Sequence, residues 1–417
     1  MQTQIPENNS PITAKSSFPF PNGVVLKNRL VKAAMSEQLA NTRQDPTEGL
    51  SRLYKTWAQG GSALLISGNI MVDRGHLGES KNVVLDDQSD LTAFRRWVCS
   101  GRENETHFWV QLNHPGKQTP NTLTREPVAP SAVKLKDVMP LGYNRPRVLT
   151  EIEILKIVQQ FARSAKLAKE VGFTGVQIHA AHGYLVSQFL SPAHNQRSDQ
   201  WGGVLENRMR FLLEVYKAIR TAVGASFPVA VKLNSADFMS GGFSEEDSIQ
   251  VVDALASAGV DLIEVSGGTY ESPVMTGYVI AESTQRREAY FLDYAETIRR
   301  RISVPLMVTG GFRSSAGIAK ALESRATDLI GLARPLAVES AFPNRLLNNS
   351  DQHIELRRLT TGSKRLDRFI LLNITWYEHQ IARLAEGLQP KPNLNTWVSV
   401  AMTLRDQGLA IFRKRRV

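Results

Sequence analysis

Residues 150–185 read TEIEILKIVQQFARSAKLAKEVGFTGVQIHAAHGYL, a helix pattern followed at once by a strand pattern. Thr150 with Glu153 forms a capping-box signature, and Leu155, Val158, Ala162 and Ala165 keep helical spacing, so a helix is predicted over Thr150–Val171. Gly175-Val176-Gln177-Ile178 is then a short apolar run behind a glycine, the composition of a buried strand. Directly past it stand His179, His182 and Tyr184. Two imidazoles three apart, with a phenol two further on, can converge where a strand gives way to a helix. They would offer two donors to a developing oxyanion and one proton donor beside it.

The same alternation extends along the chain in both directions. Strand-like runs occur at Leu30–Met35, Ala63–Ile66, Phe108–Leu112, Val176–Ile178, Val229–Leu233, Leu262–Val265, Leu306–Val308 and Leu329–Leu332. Helical segments fit Leu50–Gln59, Leu91–Ser100, Glu206–Val223, Phe243–Gly259, Ala289–Ile302 and Ser314–Ser324. Eight apolar strands alternating with helices predict an α/β fold, a (β/α)8 TIM barrel. A doubly wound open sheet would carry a Gly-rich turn after its first strand, and Ser36-Glu37-Gln38-Leu39 stands there instead. Pro19, Pro21 and Asn22-Gly23 within 18–29 signal an N-terminal hairpin cap, preceded by a disordered lead over 1–17. The barrel is expected over 18–340, with a proline-rich excursion at 113–149 after the third strand, where lids and pocket walls are common. Residues 341–417 form a helical C-terminal extension, in which Ile370, Ile374, Tyr377, Ile381, Leu384 and Leu388 make one apolar stripe. Such a stripe more often packs on its own domain than on a partner.

Composition narrows the class. The 417 residues are 42% hydrophobic and 22% charged, as in ordinary globular enzymes, and no apolar run reaches membrane-spanning length. The first fifteen residues lack the pattern of a secretory signal. The single Cys99 excludes an intramolecular disulfide and a cysteine-ligated cluster, and suits a reducing cytoplasm. The net charge of +10 raises the question of nucleic acid. Thirteen Lys/Arg against six Asp/Glu in 341–417 put +7 of that in the tail, so the body is near neutral and no nucleic-acid partner is expected. The terminal Arg413-Lys414-Arg415-Arg416 reads as a solvated end.

A barrel places its chemistry at the C-terminal strand ends, with phosphate commonly after strands seven and eight. Thr309-Gly310-Gly311-Phe312-Arg313-Ser314 and Gly331-Leu332-Ala333-Arg334-Pro335 stand there. Free backbone N–H groups at a helix start, together with the Arg334 fork, suit an anion. The other strand ends suit a flat heterocycle. Gln111 can both give and accept against an imide edge, Lys232 can put positive charge near a ring that becomes anionic, and Ser36 can donate to a ring carbonyl. No metal-ligand spacing occurs at these ends, so no metal is expected.

As a set, LKNRLVKAAMS (26–36), VQLNHPG (110–116), HAAHGYLVSQFLSP (179–192), NQRSDQWGGVLENRMRFLLE (195–214), TGGFR (309–313) and GLARP (331–335) resemble the Old Yellow Enzyme family of NADH:flavin oxidoreductases. The resemblance spans about 18–340, in order and spacing. It implies a barrel holding FMN, reduced by NADPH or NADH, that in turn reduces the C=C bond of an activated alkene such as an α,β-unsaturated carbonyl compound. Residue by residue, it implies that Gln111 meets the flavin pyrimidine, and that His179 and His182 hold the substrate carbonyl. Tyr184 supplies the proton, and Gly310, Gly311, Ala333 and Arg334 bind phosphate. Ala34, Met35, Ser36, Gly68 and Lys232 would lie against the flavin, and Gln38 against substrate. A homo-oligomer is a family-level expectation. The chain departs from the family at Ser36, at Glu37-Gln38, where many relatives carry apolar or aromatic substrate contacts, and at Lys232, where Arg is usual. Lys keeps the charge without the planar fork. Two rivals stand beside this reading: a flavin barrel acting on RNA or another FMN-dependent dehydrogenase, and a barrel that has become a binding protein.

Overall fold

The computed structural model describes residues 11–135, 142–269, 271–272, 288–349 and 351–412. Most of the lead (1–10), residues 136–141 of the excursion and the basic end from 413 onward lie outside the described residues.

Eight parallel strands close on themselves: β1 (Leu30–Lys32), β2 (Leu64–Met71), β3 (His107–Asn113), β4 (Gly175–Ala180), β5 (Val229–Asn234), β6 (Leu262–Ser266), β7 (Leu306–Thr309) and β8 (Leu329–Leu332). They neighbour one another in chain order, and β8 pairs back on β1 with Ile330 opposite Leu30. Each is followed by a helix: α1 (Glu48–Gln59), α2 (Leu91–Gly101), α3 (Glu151–Val171), α4 (Arg210–Val223), α5 (Glu245–Ala258), α6 (Leu292–Arg299), α7 (Ser315–Glu323) and α8 (Arg334–Val338). Strand residues are buried on both faces, which is why they read as continuous apolar runs.

The helix α3 begins at the expected capping box, with Thr150 Oγ1 accepting from the Glu153 N–H and the Glu153 carboxylate accepting from the Thr150 N–H. It ends at Gly172, φ +101°, a conformation that costs a residue with a Cβ. Its buried face is Ile154, Ile157, Val158, Phe161 and Ala165, whereas Leu155 is 47% exposed, one position off the expected stripe. The helix expected over Glu206–Val223 is interrupted at Met209 into Leu205–Arg208 and α4.

The hairpin forms between Phe18–Pro19 and Val25–Leu26. Phe18 and Phe20 pack edge-on at 5.0 Å, Phe20 lies 5.5 Å from Trp109, and the group continues into Val31, Leu64, Ile66, Ala230, Leu262, Met307 and Leu329. This plugs one end of the barrel, and the cavity opens at the other, at the C-terminal strand ends.

The tail folds back onto the barrel. Helix α9 (Leu372–Ala385) buries Trp376, Tyr377, Ile381 and Leu384 against α1 and α8, and Arg52 Nη1 donates to the Ala385 carbonyl at 2.6 Å. The helix stops at Ala385, leaving Leu388 46% exposed beyond the stripe.

Candidate active site

A cavity of about 230 Å3 opens at the C-terminal ends of the strands. Strand β4 runs directly into it. His179 is the fifth residue of that strand, opposite Lys232 of β5, and the chain then turns sharply, with His182 at φ +62° and Gly183 at φ +78°. A non-glycine residue at positive φ is uncommon and strained, and here the Asn234 side chain holds it by accepting the His182 N–H at 3.2 Å. The turn brings the two imidazoles to 5.1 Å between ring centres, and Tyr184 to 4.8 Å from His179, both edge-to-face.

Hydrogen bonds settle what His179 can do. Its Nδ1 accepts the Ala181 N–H at 3.3 Å, so the ring proton sits on Nε2. His182 Nε2 lies 2.8 Å from Ser266 Oγ. Burial, then the neighbouring His182 ring and the Lys232 ammonium, hold His179 well below the ordinary histidine range, and burial and Lys232 do the same to His182. Both rings are neutral hydrogen-bonding groups at physiological pH.

Under the cavity floor a polar relay crosses the barrel. Gln111 Nε2 donates to Gln177 Oε1 at 2.8 Å, Gln177 Nε2 donates to Glu264 Oε2 at 2.7 Å, and Glu264 Oε1 pairs with Lys232 Nζ at 2.9 Å. Lys232 therefore brings its charge to the cavity already paired with a fully buried carboxylate that the sequence reading missed. The placement follows from register, since Glu264 stands opposite Lys232 across β5 and β6.

At the other rim, β7 and β8 supply a bare backbone. Gly310 (φ +130°) and Gly311 (φ +94°) line the cavity, and a Cβ on Gly311 would lie 2.9 Å from the Ala289 nitrogen. Thr309 Oγ1 is buried beside them without a hydrogen-bond partner. Ala333 and Arg334 complete this rim at the start of α8. The expected free N–H groups at the start of α7 are not all free: the Glu288 carboxylate accepts from the Arg313 and Ser314 N–H groups at 3.0 and 3.1 Å. An anion already sits there, supplied by the chain itself. The anion cradle narrows to Gly310, Gly311, Ala333 and Arg334. Those groups, with Gln111 and Lys232 across the cavity, fit a phosphate-bearing flavin.

Ala34, Met35 and Ser36 also line the cavity. Three positions depart from expectation. Gly68 does not face the cavity: a bulge between Ile66 and Asn69 turns Asn69 inward instead. A Cβ on Gly68 would lie 2.5 Å from the Met35 carbonyl, so its smallness serves the close approach of β2 to the segment after β1. Glu37 also turns away from substrate, and pairs with the fully buried Lys32 at 3.3 Å and with the Tyr54 hydroxyl. Burial lowers that lysine to about 8 against the pull of Glu37. Gln38 lies off the main cavity wall, at φ +51°, and its Nε2 donates to Glu378 Oε2 at 2.9 Å.

That partner was unforeseen. The tail helix α9 places Ile374, Tyr377, Glu378 and Ile381 on the cavity wall, and the loop after β2 adds Glu79. The one signal in the sequence was an acid at 378 within an apolar stripe. A cluster of metal-type ligands also went unforeseen. His76 Nδ1 lies 3.0 Å from Asp73 Oδ2, and the His114 ring is 4.9 Å away. His114 Nδ1 accepts the Gly116 N–H at 3.1 Å, which leaves its proton on Nε2 and makes the ring a donor rather than a ligand.

Comparison with known proteins identifies the family and agrees with the barrel fold. The model of the NADH:flavin oxidoreductase / NADH oxidase family matches residues 18–353. The NADH-dependent flavin oxidoreductase iliE of Hypocrea jecorina is 39% identical over 353 residues, covering 79% of this chain and 87% of that protein. The NADH-dependent flavin oxidoreductase iccE of Talaromyces variabilis is 36% identical over 353 residues, 79% of this chain and 85% of its own length. The solved structure of the old yellow enzyme homologue from Zymomonas mobilis shares the fold, with a TM-score of 0.69 at 23% identity over 85% of this chain and 98% of that one.

Proposed function

The chain belongs to the NADH:flavin oxidoreductase / NADH oxidase family, a flavin oxidoreductase of Old Yellow Enzyme type, and we propose that it is an FMN-dependent ene-reductase taking its electrons from NADH or NADPH. The observation that carries this reading is the meeting of His179, His182 and Tyr184 in the same cavity as the glycine-lined anion cradle.

Gly310, Gly311, Ala333 and Arg334 would hold the phosphate, and Gln111 and Lys232 the ring. When bound, FMN supplies the hydride. The protein supplies orientation and charge. His179 presents its Nε2–H to the substrate carbonyl, and His182, braced on Ser266, presents its second contact. Because both rings are neutral, they stabilise negative charge on that oxygen by hydrogen bonding without giving up a full proton. Tyr184, its ring 4.8 Å from that of His179, would deliver the proton to the α-carbon. Ile374, Tyr377 and Ile381 of α9 close the cavity on the tail side.

The reading is tested by following the two half-reactions separately in Tyr184→Phe. Flavin bleaching by NADH should stay within about twofold of the parent, while reoxidation by 2-cyclohexenone falls by roughly 10²-fold or more. Reoxidation at the parental rate would remove Tyr184 from the reaction. A protein whose bleached flavin returns only with oxygen, and not with any enone, favours the broader oxidase activity in the family description.

A further inference from the structure

Glu264 has no direct part in the chemistry above, yet it stands at the centre of the relay beneath the cavity. It is fully buried, as is Gln177, and both lie behind the cavity wall. The two ends of the relay, Gln111 and Lys232, line the cavity. Strand register sets this arrangement. Gln111 stands opposite Gln177 across β3 and β4, and Lys232 opposite Glu264 across β5 and β6. The 2.7 Å bond from Gln177 to Glu264 then reaches from β4 to β6 and joins the two pairs.

The polarity of this chain of bonds follows from its one acceptor-only member. A carboxylate held to an ammonium at 2.9 Å can only accept, so it takes the Gln177 amide by its nitrogen end. That turns Gln177 Oε1 toward Gln111, which answers with its own Nε2 at 2.8 Å. Gln111 Oε1 has no hydrogen-bond partner among the described residues, and it is the half of the amide left for a ligand. At the other end Glu264 offsets one side of the Lys232 ammonium, so the cavity receives a tempered positive charge rather than a bare one. An ion pair that served only to hide Lys232 would need neither glutamine. One buried anion thus delivers an acceptor and a cation to the same cavity.

We infer that Glu264 is a positioning residue for the flavin: through Gln177 it fixes Gln111 as an acceptor, and through its ion pair it sets how much of the Lys232 charge the ring feels. The inference rests on the placing of Gln111 and Lys232 against the ring, and names what governs them. The pyrimidine edge of a flavin carries an imide N–H, which an acceptor at Gln111 matches. Hydride uptake, two electrons with one proton, adds one negative charge to the bound ring. Lys232 favours that charge and Glu264 opposes it. Glu264 therefore holds the reduction potential below the value that Lys232 alone would give.

The test compares the FMN-loaded parent with Glu264→Gln, Gln177→Met and Lys232→Met. The readouts are the reduction potential of the bound flavin, by equilibration with reference dyes, and the Kd of FMN against that of 3-methyl-FMN, which has no imide N–H. A glutamine at 264 turns its oxygen to the ammonium and its nitrogen to Gln177, which reverses both amides and presents Gln111 as a donor. In Glu264→Gln the equilibrium should therefore move toward reduced flavin by about tenfold or more, about 30 mV for a two-electron couple. The parental preference for FMN over 3-methyl-FMN, about tenfold or more, should shrink by about fivefold. Gln177→Met cuts the relay but leaves the ion pair, so the preference should shrink while the potential equilibrium stays within about threefold of the parent. A general loosening of the site would not separate the two readouts in this way. A potential unchanged or lowered in Glu264→Gln, or a preference in Gln177→Met equal to that of the parent, would overturn the inference. Should Glu264→Gln fail to fold, Gln177→Met decides alone. Lys232→Met should lower the potential; an unchanged potential there would overturn the placing of Lys232 at the ring, and the inference with it.

Discussion

The wall carried by the barrel and the wall carried by the tail both bury ionisable side chains against one cavity, but with opposite proton counts. On the barrel, His179 and His182 stay neutral by refusing a proton, because burial and the Lys232 charge oppose it. On the tail side, Glu378 stays neutral by keeping a proton, because burial and Glu79 oppose its loss. The barrel wall is rigid, set by strand ends and a strained turn at His182. The tail wall is a helix laid on afterwards, held by Trp376, Tyr377 and the Arg52–Ala385 contact. The barrel wall is thus built into the strands, and the tail wall is added by docking of α9 on α1 and α8.

Removing both imidazoles should give the largest effect. In His179→Ala/His182→Ala, reoxidation by 2-cyclohexenone should drop by roughly 10⁴-fold, the scale for losing two donors to an oxyanion. Binding of a phenol, whose anion resembles the enolate, should weaken in parallel. Equal phenol affinity in parent and variant, read from flavin absorbance, would break the assignment of the barrel wall.

The second effect is on stability and separates the walls by sign. An unfolded chain protonates its histidines below about pH 6.5, whereas the native chain resists, His114 down to about 3 and the active-site pair well below their ordinary range. Their contribution is therefore complete above pH 6.5 and is lost as the pH falls below it. At pH 5.5 the three rings together should cost roughly 4 kcal/mol relative to pH 7.5. Urea midpoints across that range measure it, and a flat profile would contradict the burial of neutral rings.

The third effect has the opposite sign. Glu378 is raised to about 8, so the native state binds its proton more tightly than the unfolded one. Its stabilisation is complete below about pH 4.5 and is lost as the pH climbs through 8. Glu378→Gln removes that dependence. The variant should be more stable than the parent at pH 8 by roughly 3 kcal/mol, with the gap nearly closed at pH 5. A gap independent of pH would mean that Glu378 is an ordinary ionised acid.

The two walls also differ in how far they can be read from sequence. The barrel was legible because parallel barrel strands are apolar on both faces and end in polar residues, as at Val176–Tyr184 and Thr309–Arg334. Gly68 was misplaced because facing depends on register, and one extra residue between Ile66 and Asn69 exchanges which side chain points inward, and Gln38 because its partner Glu378 arrives from the distant tail helix. Lys232 lines the cavity, but its partner Glu264 emerges only when β5 and β6 are laid side by side. The tail gave its stripe yet not its destination. Where α9 docks is fixed by long-range packing, and the place of Glu378 on the cavity wall, bonded to Gln38, follows from that docking.

The most direct test of the central claim, that the barrel wall and anion cradle form one flavin site for alkene reduction, is an absorbance spectrum of the purified protein loaded with FMN. NADH or NADPH is added without oxygen, and then 2-cyclohexenone. Flavin bands that bleach with the nicotinamide and return with the enone are the predicted result. A protein that remains colourless and cannot be reconstituted with FMN would contradict the claim, and the cradle at Gly310, Gly311, Ala333 and Arg334 would then belong to another phosphate.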